Sequence, residues 1–366
     1  MADTRETRNE YHPDYLVTPS AVLEYELTQR CMTQNELARR TGLTTKHIID
    51  LVKSKSRITP ETAIKLERAI GMPVDYWLTL EAHYQEALAR QHEGTNLDKD
   101  LFWLDRLPIK DMAKLGWIAR FKDKRQQLEE LLRFFGIANV GQWDNLWPTL
   151  EVAYRQHNKQ EVLAEAVSAW LRQGEISATG IGCKDFDKEV FRHALDEIKT
   201  MTDQLPEAFQ PRMQALCATA GVAVVFVPAL PKTGISGATR WVSPTKAVIQ
   251  LSLRYKSNDQ LWFTFFHEAG HIMLHGKKEL FLEGLNGMQA EKEAEADAFA
   301  QKELVSRKAL LEFMAEGDYS PQAIKRFAKS INIAPGIVVG QLQHEKALGW
   351  NQCNELKCYY KWQHED

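Results

Sequence analysis

Two histidines separated by three residues, in Phe266-His267-Glu268-Ala269-Gly270-His271, are the pair in this chain best placed to do chemistry. On a helix, residues four apart lie one above the other on the same face. Both imidazoles can then grip one metal ion, while Glu268 leans over the same site. The spacing is that of zinc hydrolases, although alone it also arises by chance. Its surroundings sharpen it: Ser257-Asn258-Asp259 offers capping side chains, residues 261–275 read as one buried apolar helix, and Gly276 is placed to end it.

A catalytic zinc takes three protein ligands and keeps its fourth position for water. The run 291–300, dense in carboxylates and alanine, reads as a second helix. Glu293 and Asp297 share a face there with Ala296, Ala300 and Leu304. Glu293 is assigned as the third ligand, and Asp297 as the acceptor for the other ring nitrogen of a ligand histidine. Glu295 points elsewhere on a helix and is the runner-up ligand. The plain alternative is a solvated face of carboxylates beside packing histidines. His275, one turn further on, is either a rival ligand or a partly positive ring at the helix C-terminus. The chemistry this set predicts is peptide hydrolysis. Zinc lowers the pKa of a water to about 7 and polarises a carbonyl, and Glu268 takes the proton and passes it to the leaving amine. Tyr255 and His275 are the candidates for the oxyanion donor.

The elements that must carry this site belong to a chain of 366 residues, long enough for two or three domains. Its apolar content is ordinary for a globular protein at 44%, and no apolar run is long enough to span a bilayer. The polar start, MADTRETRNEYHPDY, lacks a secretory core. Five scattered cysteines, an odd number, predict a reducing cytoplasm, and the lack of a spanning apolar run predicts no membrane partner.

The net charge of −3 says little until its distribution is read. From 30 to 68, nine Lys and Arg side chains stand against four acids, a basic island in an acidic chain. The same stretch has helix-turn-helix punctuation. Thr18-Pro19-Ser20 opens a helix to about Arg30. Thr33-Gln34-Asn35-Glu36 is a capping box for a short helix to Arg40, Gly42 supplies the turn, and Thr44 caps a helix to about Lys53. Thr59-Pro60-Glu61 starts another that Gly71 stops, and Pro73 begins one reaching about Arg90. The second helix of the motif should enter the major groove with Thr44, Thr45, Lys46, Asp50 and Lys53, and Gln34 should lie near the phosphate backbone. Such modules read paired half-sites of double-stranded operator DNA as dimers, so a homodimer is expected. The alternative is a small helical bundle that binds protein only.

From 97 to 204 the periodicity is helical, and tryptophans at 103, 117, 143, 147 and 170 indicate a core but no catalytic constellation. Strands are predicted at 221–227, 238–242 and 246–253, the last two forming a hairpin around Ser243-Pro244-Thr245. Their edge either receives an extended peptide or only supports the zinc helix. Helices are predicted next at 320–330 and 334–348, and the aromatic tail packs back or mediates self-association. The expected fold is mainly α with a small β-sheet, in the order: flexible N-terminus 1–17, all-α helix-turn-helix domain 18–94, helical middle domain 95–205, zincin-like domain 206–348, tail 349–366.

Residues 18–90, with Thr33-Gln34-Asn35-Glu36-Leu37-Ala38, Ile58-Thr59-Pro60-Glu61-Thr62-Ala63 and Tyr76-Trp77-Leu78, resemble the HigA-type antitoxins of the Xre repressor superfamily. Those proteins bind their own operator and neutralise a toxin encoded beside them. The stretch from about 216 to 342, with Trp262-Phe263-Thr264-Phe265-Phe266-His267-Glu268 and the 293–300 pattern, resembles the ImmA/IrrE metallopeptidases. In that family a zinc protease cuts a repressor and so releases a stress or mobile-element response. Asp297 stands where Asn is also common, and either side chain can accept the histidine proton. The resemblances imply a DNA-binding regulator with a Zn2+ peptidase domain acting on a protein partner or on itself. The alternative is an antitoxin that represses its own operon and neutralises a co-encoded toxin, its zinc domain non-catalytic.

Overall fold

The computed structural model describes residues 17–147, 164–276, 281–282 and 290–362, so the expected flexible N-terminus lies outside the described residues up to position 16. Contacts divide the chain into two units, Met1–Lys99 and Asp100–Asp366.

The first unit is helical: α1 (Pro19–Gln29), α2 (Gln34–Thr41), α3 (Thr45–Val52), α4 (Pro60–Ile70) and α5 (Val74–Asp100). One device starts the first four. Thr18, Thr33, Thr44 and Thr59 each accept the backbone N–H of the third residue of the helix, at 3.1 to 3.3 Å. Gly42 and Gly71 end α2 and α4 in the left-handed region. The expected capping box is half made, because the Glu36 carboxylate accepts from Arg40 Nε at 3.0 Å and not from Thr33. α5 runs ten residues past its expected end near Arg90. Gly94 lies inside it, at a cost of about 1 kcal/mol, which a helix of 27 residues tolerates. The helices close on Leu23, Leu37, Ile48, Ala63, Leu66 and Trp77, all fully buried.

The second unit begins with a 3-10 turn, Leu101–Arg106, and α6 (Ile109–Lys114), α7 (Lys124–Phe135) and α8 (Gly141–Leu146). α9 (Ala164–Thr179) ties this stretch to the later part of the unit: Ser168 Oγ accepts from Trp143 Nε1 at 2.9 Å, and Trp170 Nε1 donates to the Val227 carbonyl at 3.0 Å. α10 (Lys188–Lys199) and α11 (Pro206–Thr219) lead into β1 (Val222–Phe226), β2 (Gly237–Ser243) and β3 (Lys246–Leu251). With the short β4 (Phe281–Leu282), these form a sheet of order β1-β3-β2-β4. β1 and β3 are parallel, while β2 is antiparallel to β3 and β4.

The sheet is covered on both faces, and for that reason β1 reads as an unbroken apolar run. Ala223, Val225 and Val248 face Trp170 and Leu171 of α9. Val222, Val224 and Ile249 face Phe209, Trp262 and Phe265 on the other side. Trp262 and Phe265 belong to α12 (Asn258–Leu274), the central helix of the unit, which packs against α13 (Ala290–Leu304). Gly270 permits that approach, since a Cβ there would lie 3.2 Å from Ala296 Cα and 3.1 Å from the Phe299 ring. α14 (Arg307–Glu316), α15 (Pro321–Ser330) and α16 (Pro335–His344) complete the unit, so the expected α+β layout is the one observed.

Candidate metal centre and helix-turn-helix face

α12 is longer at its start than the apolar run predicts, beginning at Asn258 and not at Leu261, and Ser257 makes no side-chain cap bond. The tail of the chain supplies the missing partners. Asn258 N–H donates to the Cys358 carbonyl at 2.8 Å, Asn258 Oδ1 accepts from Cys358 N–H at 3.1 Å, and Lys357 Nζ donates to Asp259 Oδ2 at 2.7 Å. The tail therefore packs back onto the helix that carries both histidines.

His267 and His271 stand one turn apart, nearly enclosed, with Nε2 atoms 3.0 Å apart. Glu293 reaches them from α13: Oε2 is 3.3 Å from His267 Nε2, and Oε1 is 3.5 Å from His271 Nε2. Among the described residues this trio is the group of His, Cys, Asp and Glu side chains able to share an ion. The donor set fits zinc. Arms of about 2.0–2.1 Å at tetrahedral angles put neighbouring donor atoms roughly 3.3–3.4 Å apart, close to the three separations found. Asp297, one turn beyond Glu293, accepts from His267 Nδ1 at 2.8 Å, which leaves the His267 lone pair on Nε2. Burial above all holds the His271 pKa down at about 2, so its ring is neutral and has a lone pair to offer a metal.

The runner-up ligands stand elsewhere. Glu295 accepts from His275 Nε2 at 2.9 Å, and His275 Nδ1 lies 3.0 Å from His271 Nδ1. Both ring nitrogens of His275 are engaged there, which removes it as an oxyanion donor. Glu268 is fully buried, its carboxylate against Gly237 of β2, where a Cβ would lie 2.6 Å from Glu268 Oε1. Its carbonyl accepts from Thr239 Oγ1 at 3.0 Å. β2 thus holds the residue from behind.

A cleft of about 370 Å³ opens beside the centre, lined by His267, Glu293 and Asp297 and, further out, by Arg254, Tyr255, His344 and Trp350. Glu268 and His271 lie deeper than this lining. Tyr255 is exposed on the wall with the Arg254 guanidinium 4.9 Å from its ring centre. Sequence reasoning missed Arg254, His344 and Trp350. The last two come from beyond the zinc motifs, with no spacing pattern to tie them to the histidines.

In the first unit, Thr45, Lys46 and Lys53 are exposed on and just after α3, while Asp50 and Gln34 are half-buried. Thr44 is exposed as well, but its hydroxyl accepts from His47 N–H as the helix cap. Arg40 is committed to Glu36 along α2.

The two units define a class: a helix-turn-helix module joined in one chain to an α+β domain with a histidine–glutamate centre. Residues 23–77 match the helix-turn-helix family model. Residues 217–334 match the model of the IrrE N-terminal-like domain, peptidase family M78. The chain thus carries an Xre-type DNA-binding domain followed by a domain of the IrrE/ImmA kind. Among solved structures, it is similar to an addiction module antidote protein of the HigA family from Coxiella burnetii. That match has 26% identity, covers 23% of this chain and 92% of that one, and has a TM-score of 0.22. An antidote protein assigned to a plasmid maintenance system of Nostoc punctiforme is 22% identical, with 23% and 91% covered and the same TM-score. Comparison with curated proteins returns no match. No helix among the described residues is long and apolar enough to cross a membrane.

Proposed function

We propose that the chain is a cytoplasmic DNA-binding regulator whose second unit is a zinc-dependent peptidase acting on a protein partner or on the chain itself. The observation that carries the reading is the convergence of His267, His271 and Glu293 at separations that suit one tetrahedral ion. Zinc bound there acidifies water and polarises a carbonyl. The chain's own groups do the rest. Asp297 holds His267 in the tautomer that presents Nε2. Glu268, fixed beside His267 on the floor below the cleft, takes a proton from the attacking water and returns it to the leaving amine. The cleft wall of Tyr255 and Trp350 receives the peptide beside the reacting bond. In the first unit Thr44, Thr45, Lys46, Asp50 and Lys53 face the major groove and Gln34 the phosphates of an operator half-site, with a homodimer spanning two half-sites.

One observation favours a second reading, an antitoxin whose metal centre is structural and whose partner is a co-encoded toxin: Glu268 has no exposed surface. A single experiment separates the two. The purified full chain is analysed for zinc and incubated with the protein encoded beside it, with and without DNA, in wild-type form and as Glu268→Gln. Cleavage that stops in Glu268→Gln while zinc stays bound supports the peptidase. Stoichiometric binding of the neighbour without cleavage in either form supports the antitoxin, and unchanged cleavage in the variant removes Glu268 from the mechanism.

A further inference from the structure

His275 stands outside the donor trio, yet it is almost wholly buried and touches one member of it. A neutral imidazole has one N–H and one lone pair, and an ionised carboxylate only accepts. The 2.9 Å contact between His275 Nε2 and Glu295 Oε2 therefore puts the His275 proton on Nε2 and leaves Nδ1 as an acceptor. His271 Nδ1, 3.0 Å from that acceptor, must then carry its own proton. The His271 lone pair falls on Nε2, the atom that meets His267 and Glu293. We propose that His275 and Glu295 form a positioning relay that fixes the tautomer and ring plane of His271 for the metal; this rests on the metal-centre reading above.

The two ligand histidines are then oriented by unequal arms. Asp297 serves His267 in one step, whereas His271 is served in two, through a second imidazole to a carboxylate on the same helix that supplies Glu293. Without Glu295, water is the weaker outer acceptor, and a fraction of the chains carry the His275 proton on Nδ1. That proton would oppose the His271 N–H and push the His271 proton to Nε2, where the ring no longer coordinates. The relay is also sided by burial: the His275 side chain is 4% exposed and Glu295 55%. Water can stand in for the outer carboxylate but not for the inner ring.

The test is zinc affinity of the full chain, read by competition with a chromogenic chelator, which needs no substrate. His275→Leu should weaken binding by up to about 100-fold and Glu295→Ala by about tenfold, the range found for outer partners of metal-bound histidine. His275→Asn, whose amide oxygen can stand where Nδ1 stood, should restore affinity to near wild type. Circular dichroism and thermal unfolding of the metal-free proteins should be alike for the Leu and Asn variants. Undiminished affinity in His275→Leu, or an Asn variant as weak as Leu, overturns the relay and leaves the metal centre standing. If His275→Leu does not fold, Glu295→Ala decides, and unchanged affinity there overturns the relay too. Wild-type chain that takes up no zinc sinks the metal reading and the relay with it.

Discussion

Gly237→Ala is the smallest change that should separate folding of the second unit from placement of its proposed base. The added methyl would lie 2.6 Å from Glu268 Oε1, 2.6 Å from Thr264 Cγ2 and 2.9 Å from Glu268 Cγ. An ordinary carbon contact is about 3.5–4.0 Å, so the groups must part by about 0.9 Å or more. Glu268 cannot swing into solvent, because it is fully buried on a helix whose neighbours on both sides are core. Overpacking of this kind costs about 1–3 kcal/mol, and displacing a reacting group by about 1 Å costs on the order of 100-fold in turnover. Zinc affinity should stay close to that of wild type, since the atoms nearest the added methyl belong to Glu268 and Thr264 and not to His267, His271 or Glu293. The assay is thermal unfolding, chelator competition and peptide turnover on one preparation, with Gly276→Ala as control, because a Cβ there meets nothing within 4 Å. A Gly237→Ala protein with wild-type stability and turnover would refute the packing of Glu268 on β2. A loss of zinc comparable to the loss of turnover would show that the strand positions the ligands, not the base.

Three further outcomes are expected. Lys357→Ala leaves Asp259, 4% exposed, without its ion-pair partner and should cost about 3–5 kcal/mol in denaturant unfolding, with Lys357→Met plus Asp259→Asn recovering much of it. If the single variant unfolds like wild type, the tail does not hold the start of α12. Burial pushes the Tyr360 phenol up to about 12 from its ordinary 10; the unfolded chain therefore gives up this proton first, so stability should be level below pH 10 and fall between pH 10 and 12. Tyr360→Phe should flatten that fall, and an equal slope in the variant would place the effect elsewhere. Lys46→Ala should weaken operator binding across sequences and lower the slope of log K against log salt by about one, measured by anisotropy at several salt concentrations. A slope that does not change would take Lys46 off the phosphates.

How much of the molecule is legible in its sequence depends on how far apart the interacting residues lie. Each of the first four helices is started by a threonine bonding to an amide three residues on, and α2 and α4 are stopped by a glycine in its own turn, so the helix-turn-helix can be read from spacing alone. The same locality gives the His267–His271 pair, one helical turn, and the Glu293–Asp297 pair, another. The exceptions are also instructive. Glu36 has the spacing of a capping box but pairs with Arg40, because a carboxylate on a helix surface finds a cation four residues on as easily as an amide three residues back.

The rest of the site depends on contacts that no local pattern encodes. α12 begins three residues before its apolar run because its first amide finds a carbonyl at Cys358, one hundred positions later. Gly237 reads in sequence as a turn residue, yet its lack of a side chain makes room for a carboxylate from another element. His275 and Glu295 are separable from the ligands by helical phase but not assignable to each other, since that requires the crossing of α12 and α13. That crossing is itself set by Gly270 against Ala296. The close approach brings Glu293 to the two ligand rings and, on the neighbouring face of the same turn, Glu295 to His275. A bulky residue at position 270 would part the two helices, so ligand and relay should be lost together, whereas changes at His275 or Glu295 should weaken the zinc site and leave the helix pair intact.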